Sequence, residues 1–147
     1  MKRFIRCTCL LLVAVLLLSI PALAAETPEP RASYYFTSSS TFLCNVSGAS
    51  FEAWFDVTGT GIMEEIGVNF IKIQRSSDGE NWTTMRTFSK ADFPHLLDYN
   101  TATHTAGINY TGTRGFYYRA WIQLYAKNSR GWGEMDCYTS KLYIPVN

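Results

Sequence analysis

The sequence predicts an all-β domain, an antiparallel two-sheet sandwich of six to seven strands. Three observations carry that expectation. Residues 116–127 alternate with a period of two: Phe116, Tyr118, Ala120, Ile122, Leu124 and Ala126 on one side, Tyr117, Arg119, Trp121, Gln123, Tyr125 and Lys127 on the other. Successive side chains of a strand point to opposite faces, so this run is one apolar face backed by one aromatic-polar face. Elsewhere, short apolar-patterned runs are separated by clusters of Gly, Asn, Asp and Ser. No run of ordinary helical length shows the helical period, and strands joined by turns argue for packed antiparallel sheets.

The 147 residues leave room for one domain. Residues 1–24 read as a secretory signal peptide: Lys2, Arg3 and Arg6 precede an apolar run, Pro21 breaks it, and Ala22-Leu23-Ala24 offers a cleavage site. The apolar core is shorter than the ~20 residues of a spanning helix. Residues 25–33 read as a flexible linker and 34–147 as the sandwich domain. The expected product is secreted, with no membrane association after cleavage. Removing the leader leaves ten basic against twelve acidic residues, a net charge of −2 that gives no pull toward nucleic acid. Cys7 and Cys9 leave with it, so Cys44 and Cys137 remain as one possible pair. Oxidising export favours a bridge between them, closing about 90 residues and stabilising by about 4 to 5 kcal/mol in the chain-entropy model.

Taken in order, residues 34–46 form a weakly patterned first strand, and Asn45 to Ser50 supplies turn chemistry. Phe51, Ala53, Phe55 and Val57 alternate with Glu52, Trp54, Asp56 and Thr58 as a half-buried strand. Residues 58–61 are expected to turn the chain. The third strand, 66–75, slips phase: Ile66 and Val68 share one parity, Ile71 and Ile73 the other. One extra residue at Asn69 or Phe70, a β-bulge, would reconcile them. Residues 76–81 (SSDGEN) are a turn with Asp78-Gly79 at its centre. A fourth strand, 82–88, follows. Residues 92–97 read as a helical turn or packed loop, 102–111 as a poorly marked strand, 111–115 as a turn. After 116–127, residues 128–133 turn the chain and 135–144 close the domain, again with a phase slip between Cys137 and Leu142.

Two motifs resemble fibronectin type III-like and immunoglobulin-like domains. Ile71-x-Ile73-Gln74-Arg75-Ser76-Ser77-Asp78-Gly79-x-x-Trp82 is similar to their third strand, turn and next strand. Ala126-x-Asn128-x-x-Gly131 is similar to the end of their sixth strand and its turn. The exported single-domain format also resembles small secreted families of Gram-positive bacteria. By the family's spacing its core tyrosine would fall at Ala120, and Tyr118 stands two residues earlier. Trp54 resembles the early core tryptophan, although the alternation places it on the outer face. The resemblance implies a sandwich, a fold that hosts many functions and licenses none alone.

No catalytic constellation is expected. His95 and His104 lie nine apart with no serine or cysteine motif beside them, and adjacent Glu64 and Glu65 should face opposite ways on a strand. Asp78 and Glu80 fall short of the six to eight oxygens that calcium prefers, and no cofactor is expected. Asn45, Asn81 and Asn109 head three glycosylation sequons at turn edges. The candidate binding face is Tyr117, Arg119, Trp121, Gln123 and Tyr125. Tyr117, Trp121 and Tyr125 recur about 13 Å apart at strand rise. Such a face suits a protein partner or the rings of a glycan. Cross-strand pairing with Lys72, Gln74 or Tyr138 is the structural alternative.

Overall fold

The computed structural model describes residues 32–146. The signal peptide expected over 1–24 and the linker over 25–31 lie outside the described residues. Residues 32 and 33, expected to end the linker, open a one-turn helix, α1 (Ala32–Tyr35). Seven strands follow: β1 (Phe36–Ser47), β2 (Ser50–Ser76), β3 (Thr83–Ser89), β4 (Leu97–Thr111), β5 (Phe116–Asn128), β6 (Gly131–Tyr138) and β7 (Leu142–Ile144). A 3-10 turn, Pro94–Leu96, sits within the segment the sequence left open between a helical turn and a loop.

The chain is all-β, and every strand is antiparallel to its neighbours in one hydrogen-bonded sheet with the path β1-β2-β5-β6. β3 and β4 pair with β2, and β7 pairs with β5. The turn expected at 58–61 is not made. β2 runs through it as a single strand of 27 residues. The departure is absorbed as an irregularity instead: between Thr58↔Thr103 and Met63↔Thr101, β2 advances five residues while β4 advances two. Tertiary pairing thus overrides a glycine-threonine run that reads locally as a turn.

The bulge expected near Asn69 is present. Val68 pairs with Leu124 and Phe70 with Gln123, so Asn69 is the extra residue. Ile66 and Val68 before it and Ile71 and Ile73 after it are all fully buried. Were Asn69 part of a regular ladder instead, one of the two pairs would turn to solvent. The bulge is fixed by the Lys90 amide, which donates to the Asn69 carbonyl at 3.0 Å.

Those four side chains join Phe51, Ala53, Phe55 and Val57 of β2 and Tyr118, Ala120, Ile122, Leu124 and Ala126 of β5 in one core. Fully burying an aliphatic or aromatic side chain of this size contributes about 1.5–3 kcal/mol. The sheet curls to make that core. Phe51, at the start of β2, and Tyr118, which pairs with Arg75 near the end of β2, bring their rings to 5.2 Å, and Ser39 of β1 lies against the Cys137 thiol of β6. One glycine is required by the curl. Gly67 has φ +150, and a Cβ there would overlap the Leu96 carbonyl as the chain enters β4.

The Cys44–Cys137 bridge is not formed, and both thiols are free. Strand geometry gives the reason. Cys137 pairs with core Ile122, and Ser39 is the β1 residue against it. Cys44 lies five positions further along β1, on the order of 16 Å away at strand rise. It also has the opposite parity and projects outward. Bridged cysteines keep their Cα atoms within about 7 Å. Burial raises the Cys137 thiol above its ordinary value of 9.0, so it stays protonated at neutral pH.

The closing run 135–144 becomes two strands, because both β6 and β7 pair with β5 and the chain must shift between them. Thr139 bridges the gap: its amide donates to the Ala120 carbonyl at 3.0 Å, and its hydroxyl accepts from the Ala120 amide at 2.9 Å. The β2–β3 turn is built on Asp78. Its carboxylate accepts the Ser76 hydroxyl at 2.6 Å and the amides of Glu80 and Asn81 at 2.9 and 2.8 Å, while Gly79 takes φ +76. Those bonds stabilise the carboxylate and hold its pKa well below the ordinary carboxylate range.

At the start of β5, the buried Tyr118 hydroxyl accepts the Thr113 amide at 2.7 Å, five residues upstream, and so ties the β4–β5 turn to the core. Tyr118→Phe keeps the ring and removes that acceptor. The expected loss is about 1–2 kcal/mol, read as a lower urea midpoint at unchanged slope. An unchanged midpoint would mean the turn is held by other contacts.

Candidate functional site

Five side chains were expected on one face of 116–127, and β5 places all five there. Tyr117, Arg119, Trp121, Gln123 and Tyr125 are each half-buried, while the intervening Tyr118, Ala120, Ile122 and Leu124 are buried. The half-burial comes from neighbours in the sheet. Trp121 lies between Lys72 of β2 and Tyr138 of β6, Arg119 beside Gln74, Gln123 between Phe70 and Asp136, and Tyr125 beside Glu134. Lys72, Gln74 and Tyr138, the cross-strand partners expected as the structural alternative, are therefore all in place.

The rings are not bare. The Lys72 ammonium sits 4.1 Å from the Trp121 ring centre and 4.3 Å from that of Phe70. Phe70 meets Trp121 edge-on at 5.3 Å, and Tyr138 stacks beside Trp121 at 5.9 Å with the planes 21° apart. Arg119 lies over Trp82 at 4.5 Å and Tyr138 at 4.7 Å, Lys90 over Tyr125 at 3.8 Å, and Lys141 over Tyr117 at 5.3 Å. Cations in this position are drawn by the negative face of the ring. Among the described residues, none of these four cations lies within ion-pair distance of a carboxylate; Lys127 alone on this face does, at 3.2 Å from Glu65 and 4.0 Å from Glu64. Glu64 and Glu65, expected to face apart, thus reach the same ammonium, because the long Lys127 side chain spans both.

Polar groups hold the rings in register. Trp121 Nε1 donates to Asp136 Oδ1 at 2.9 Å, and Gln123 Nε2 donates to the same oxygen at 3.3 Å. Asn69, set on the outer face by the bulge, donates to Gln123 at 3.0 Å and Glu134 at 2.6 Å. Arg119 Nε donates to Gln74 at 2.8 Å, and Gln74 donates to Thr84 at 3.3 Å. Burial, with the nearby Glu65 charge second, raises the Tyr125 phenol above its ordinary value of 10.0. It therefore stays neutral at physiological pH. The face thus has a cationic side over β2 and β3 and an acidic side along β6, with aromatic rings between them.

Sequence reasoning found the β5 residues and missed Asn69, Phe70, Trp82, Lys90 and Lys141. The phase slip at Asn69 and Phe70 was the one signal that both turn outward. Nothing in the spacing of Trp82, Lys90 or Lys141 ties them to β5. The histidines serve the scaffold: His95 Nε2 lies 3.3 Å from the Gly107 carbonyl and His104 Nε2 lies 2.9 Å from the His95 carbonyl, joining the 3-10 turn to β4. His104 also faces Asp98 at 3.8 Å, and among the described residues no hydroxyl or thiol is bonded to either ring. Trp54 is on the outer face as expected, stacked on Phe42 at 6.5 Å with the planes 2° apart. Asn45, Asn81 and Asn109 are all exposed. No helix among the described residues is long and apolar enough to cross a membrane. No protein-family model matches the chain, and a search of the curated proteins also finds no match.

A double-mutant cycle between Lys72→Met and Trp121→Leu isolates the ring–cation contact. The expected coupling is favourable and about 0.5–1 kcal/mol for a partly exposed pair. Zero coupling in urea unfolding would show that the ammonium only happens to rest there.

Proposed function

We propose that this chain is a secreted, non-catalytic β-sandwich of the fibronectin or immunoglobulin kind that binds a protein partner through the outer face of β5. Support for the finer fold comes from how the strands group. β1, the first half of β2 and residues 103–111 of β4 form one set of neighbours, while the start of β4 continues beside Met63 to Gly67. β3, the second half of β2, β5 and β6 form the other, and the buried side chains of both sets meet in one core. The Tyr118 hydroxyl, bonded to backbone five residues upstream, resembles the tyrosine corner of such sandwiches, two residues out of the usual step, and supports this reading.

The observation that carries the binding function is the set of four cations held over aromatic rings without a carboxylate partner among the described residues. A carboxylate-bearing partner would supply the missing charges, and the Trp, Tyr and Arg side chains are the types that dominate binding energy at protein interfaces. Trp121 and Arg119 are already oriented by Asp136 and Gln74, so little side-chain freedom is lost on binding.

A carbohydrate-binding module is the second reading, favoured by the regular placement of Tyr117, Trp121 and Tyr125 along one strand. A neutral sugar would have to displace Lys72 from Trp121 and Lys90 from Tyr125 to stack on those ring faces. Capture of proteins from the surroundings of the producing cells, run beside a glycan array, separates the two. The expected result is a protein captured by the wild type, with affinity falling more than about 30-fold in Trp121→Ala and weakened by Lys72→Gln and by added salt. A glycan signal lost in Trp121→Ala but kept in Lys72→Gln would transfer the function to sugars. Capture indifferent to all three variants would remove the face from the function.

A further inference from the structure

The sheet ends on one side at β1, which is paired with β2 along one edge; among the described residues no strand pairs with its other edge. Proteins usually protect such an edge with a charge, a proline or a bulge, because open N–H and C=O groups template pairing with another chain. The other long edges here carry those devices. β6 has Glu134 and Asp136, β3 has Arg86 and a register shift opposite Ile73 and Gln74, and β4 has Asp98 and a positive-φ Asn100. β1 has none of them in its centre. It runs FTSSSTFLCNVS without a charged residue or a proline, and its pairing with β2 is regular from Ser38 to Asn45.

The side chains it turns outward say which strand would fit. Phe42, Cys44 and Val46 form an alternating outward stripe, with Phe42 47 % and Val46 58 % exposed. An antiparallel strand centred on Cys44 would need an apolar residue opposite Phe42, a small one opposite Cys44 and a bulky one opposite Val46. β1 itself meets that requirement: in a two-fold arrangement, Phe42 faces Val46 of the second copy, and Cys44 faces Cys44. The outward stripe is self-complementary, as an isologous interface must be.

We propose that β1 is a homotypic pairing edge, and that a second copy of this chain adds its β1 antiparallel to it about a two-fold axis at Cys44. The two sheets then become one continuous sheet, with main-chain hydrogen bonds supplying most of the attraction. The contact is small by the standard of obligate dimers, so the dimer is reversible. Cys44 is not the glue. It marks the axis, because directly opposed residues bring their Cβ atoms to about 4.5–5.5 Å, close to what a disulfide needs.

Sedimentation velocity across a concentration series, in reductant and on the protein as processed by an expressing cell, tests the association. The expected mass rises from one chain to a plateau at two, equally in wild type and Cys44→Ser. Cys44→Lys sets like charges opposite each other on the axis and is expected to stay monomeric, with an unfolding midpoint near that of the wild type. If Cys44→Lys fails to fold, Val46→Lys, at an exposed position, is expected to shift the dimerisation midpoint to at least tenfold higher concentration. Diamide, which takes two electrons and two protons from a thiol pair, is expected to yield a covalent dimer in wild type and Cys137→Ser and none in Cys44→Ser. A monomer at every concentration, growth beyond two chains, a dimer that survives Cys44→Lys, or a diamide cross-link through Cys137 would each overturn the proposal.

Discussion

The rest of the structure depends on β2 remaining one strand for 27 residues while changing the face it buries. Along its first half, odd-numbered residues from Phe51 to Val57 point inward. Past the irregularity between Thr58 and Met63, Met63 is still buried on the odd side; from Ile66 the inward set is Ile66 and Val68, and beyond Asn69 it is Ile71 and Ile73. Each shift of one residue reverses the faces, so an uninterrupted strand would leave one apolar set in water. The strand serves as the common neighbour of β1, β3, β4 and β5. The sheet curls along it, so the inward side chains of both halves enter one core.

The outer face follows from the same bulge. Asn69, displaced from the ladder, gives its amide to Gln123 and Glu134, and Phe70 is turned out beside Trp121 and under Lys72. Without Asn69, Gln123 and Glu134 would lose that amide, whereas Phe70 would keep its place opposite Gln123 in a regular ladder. Core packing and surface chemistry are thus set by a single backbone event, although the energies involved differ in kind. The inner face contributes apolar burial, whereas contacts on the outer face are individually about 0.5–1 kcal/mol and gain their value from orientation.

Alternation was legible in the sequence wherever a strand is buried on one face. It identified the inward side of β5, the strand at Phe51 to Val57, the bulge at Asn69, and the turns at Asp78 and Asn128. β4 was poorly marked because many of its side chains are polar and it carries an irregularity opposite β2. Residues 58–61 were misread because glycine and threonine signal a turn locally, and only the pairing with β1 and β4 keeps them extended. The cysteine pair was misread for a related reason: spacing in sequence carries no parity. Cys44 and Cys137 face different ways on strands whose contact falls at Ser39. Of the candidate face, the β5 contribution was legible, but the cations over its rings come from distant segments that no local pattern connects to it.

The account turns on Asn69 as the residue that sets the phase of β2, and deletion of Asn69 tests it most directly. The deletion would remove the residue that stands outside the ladder and leave a regular strand with Ile66, Val68, Ile71 and Ile73 all on the core face. Urea unfolding followed by near-ultraviolet circular dichroism is predicted to show a cooperative transition and the fixed aromatic signal retained, with the midpoint lowered only by loss of the Asn69 hydrogen bonds. Loss of the cooperative transition and of the aromatic signal would contradict it.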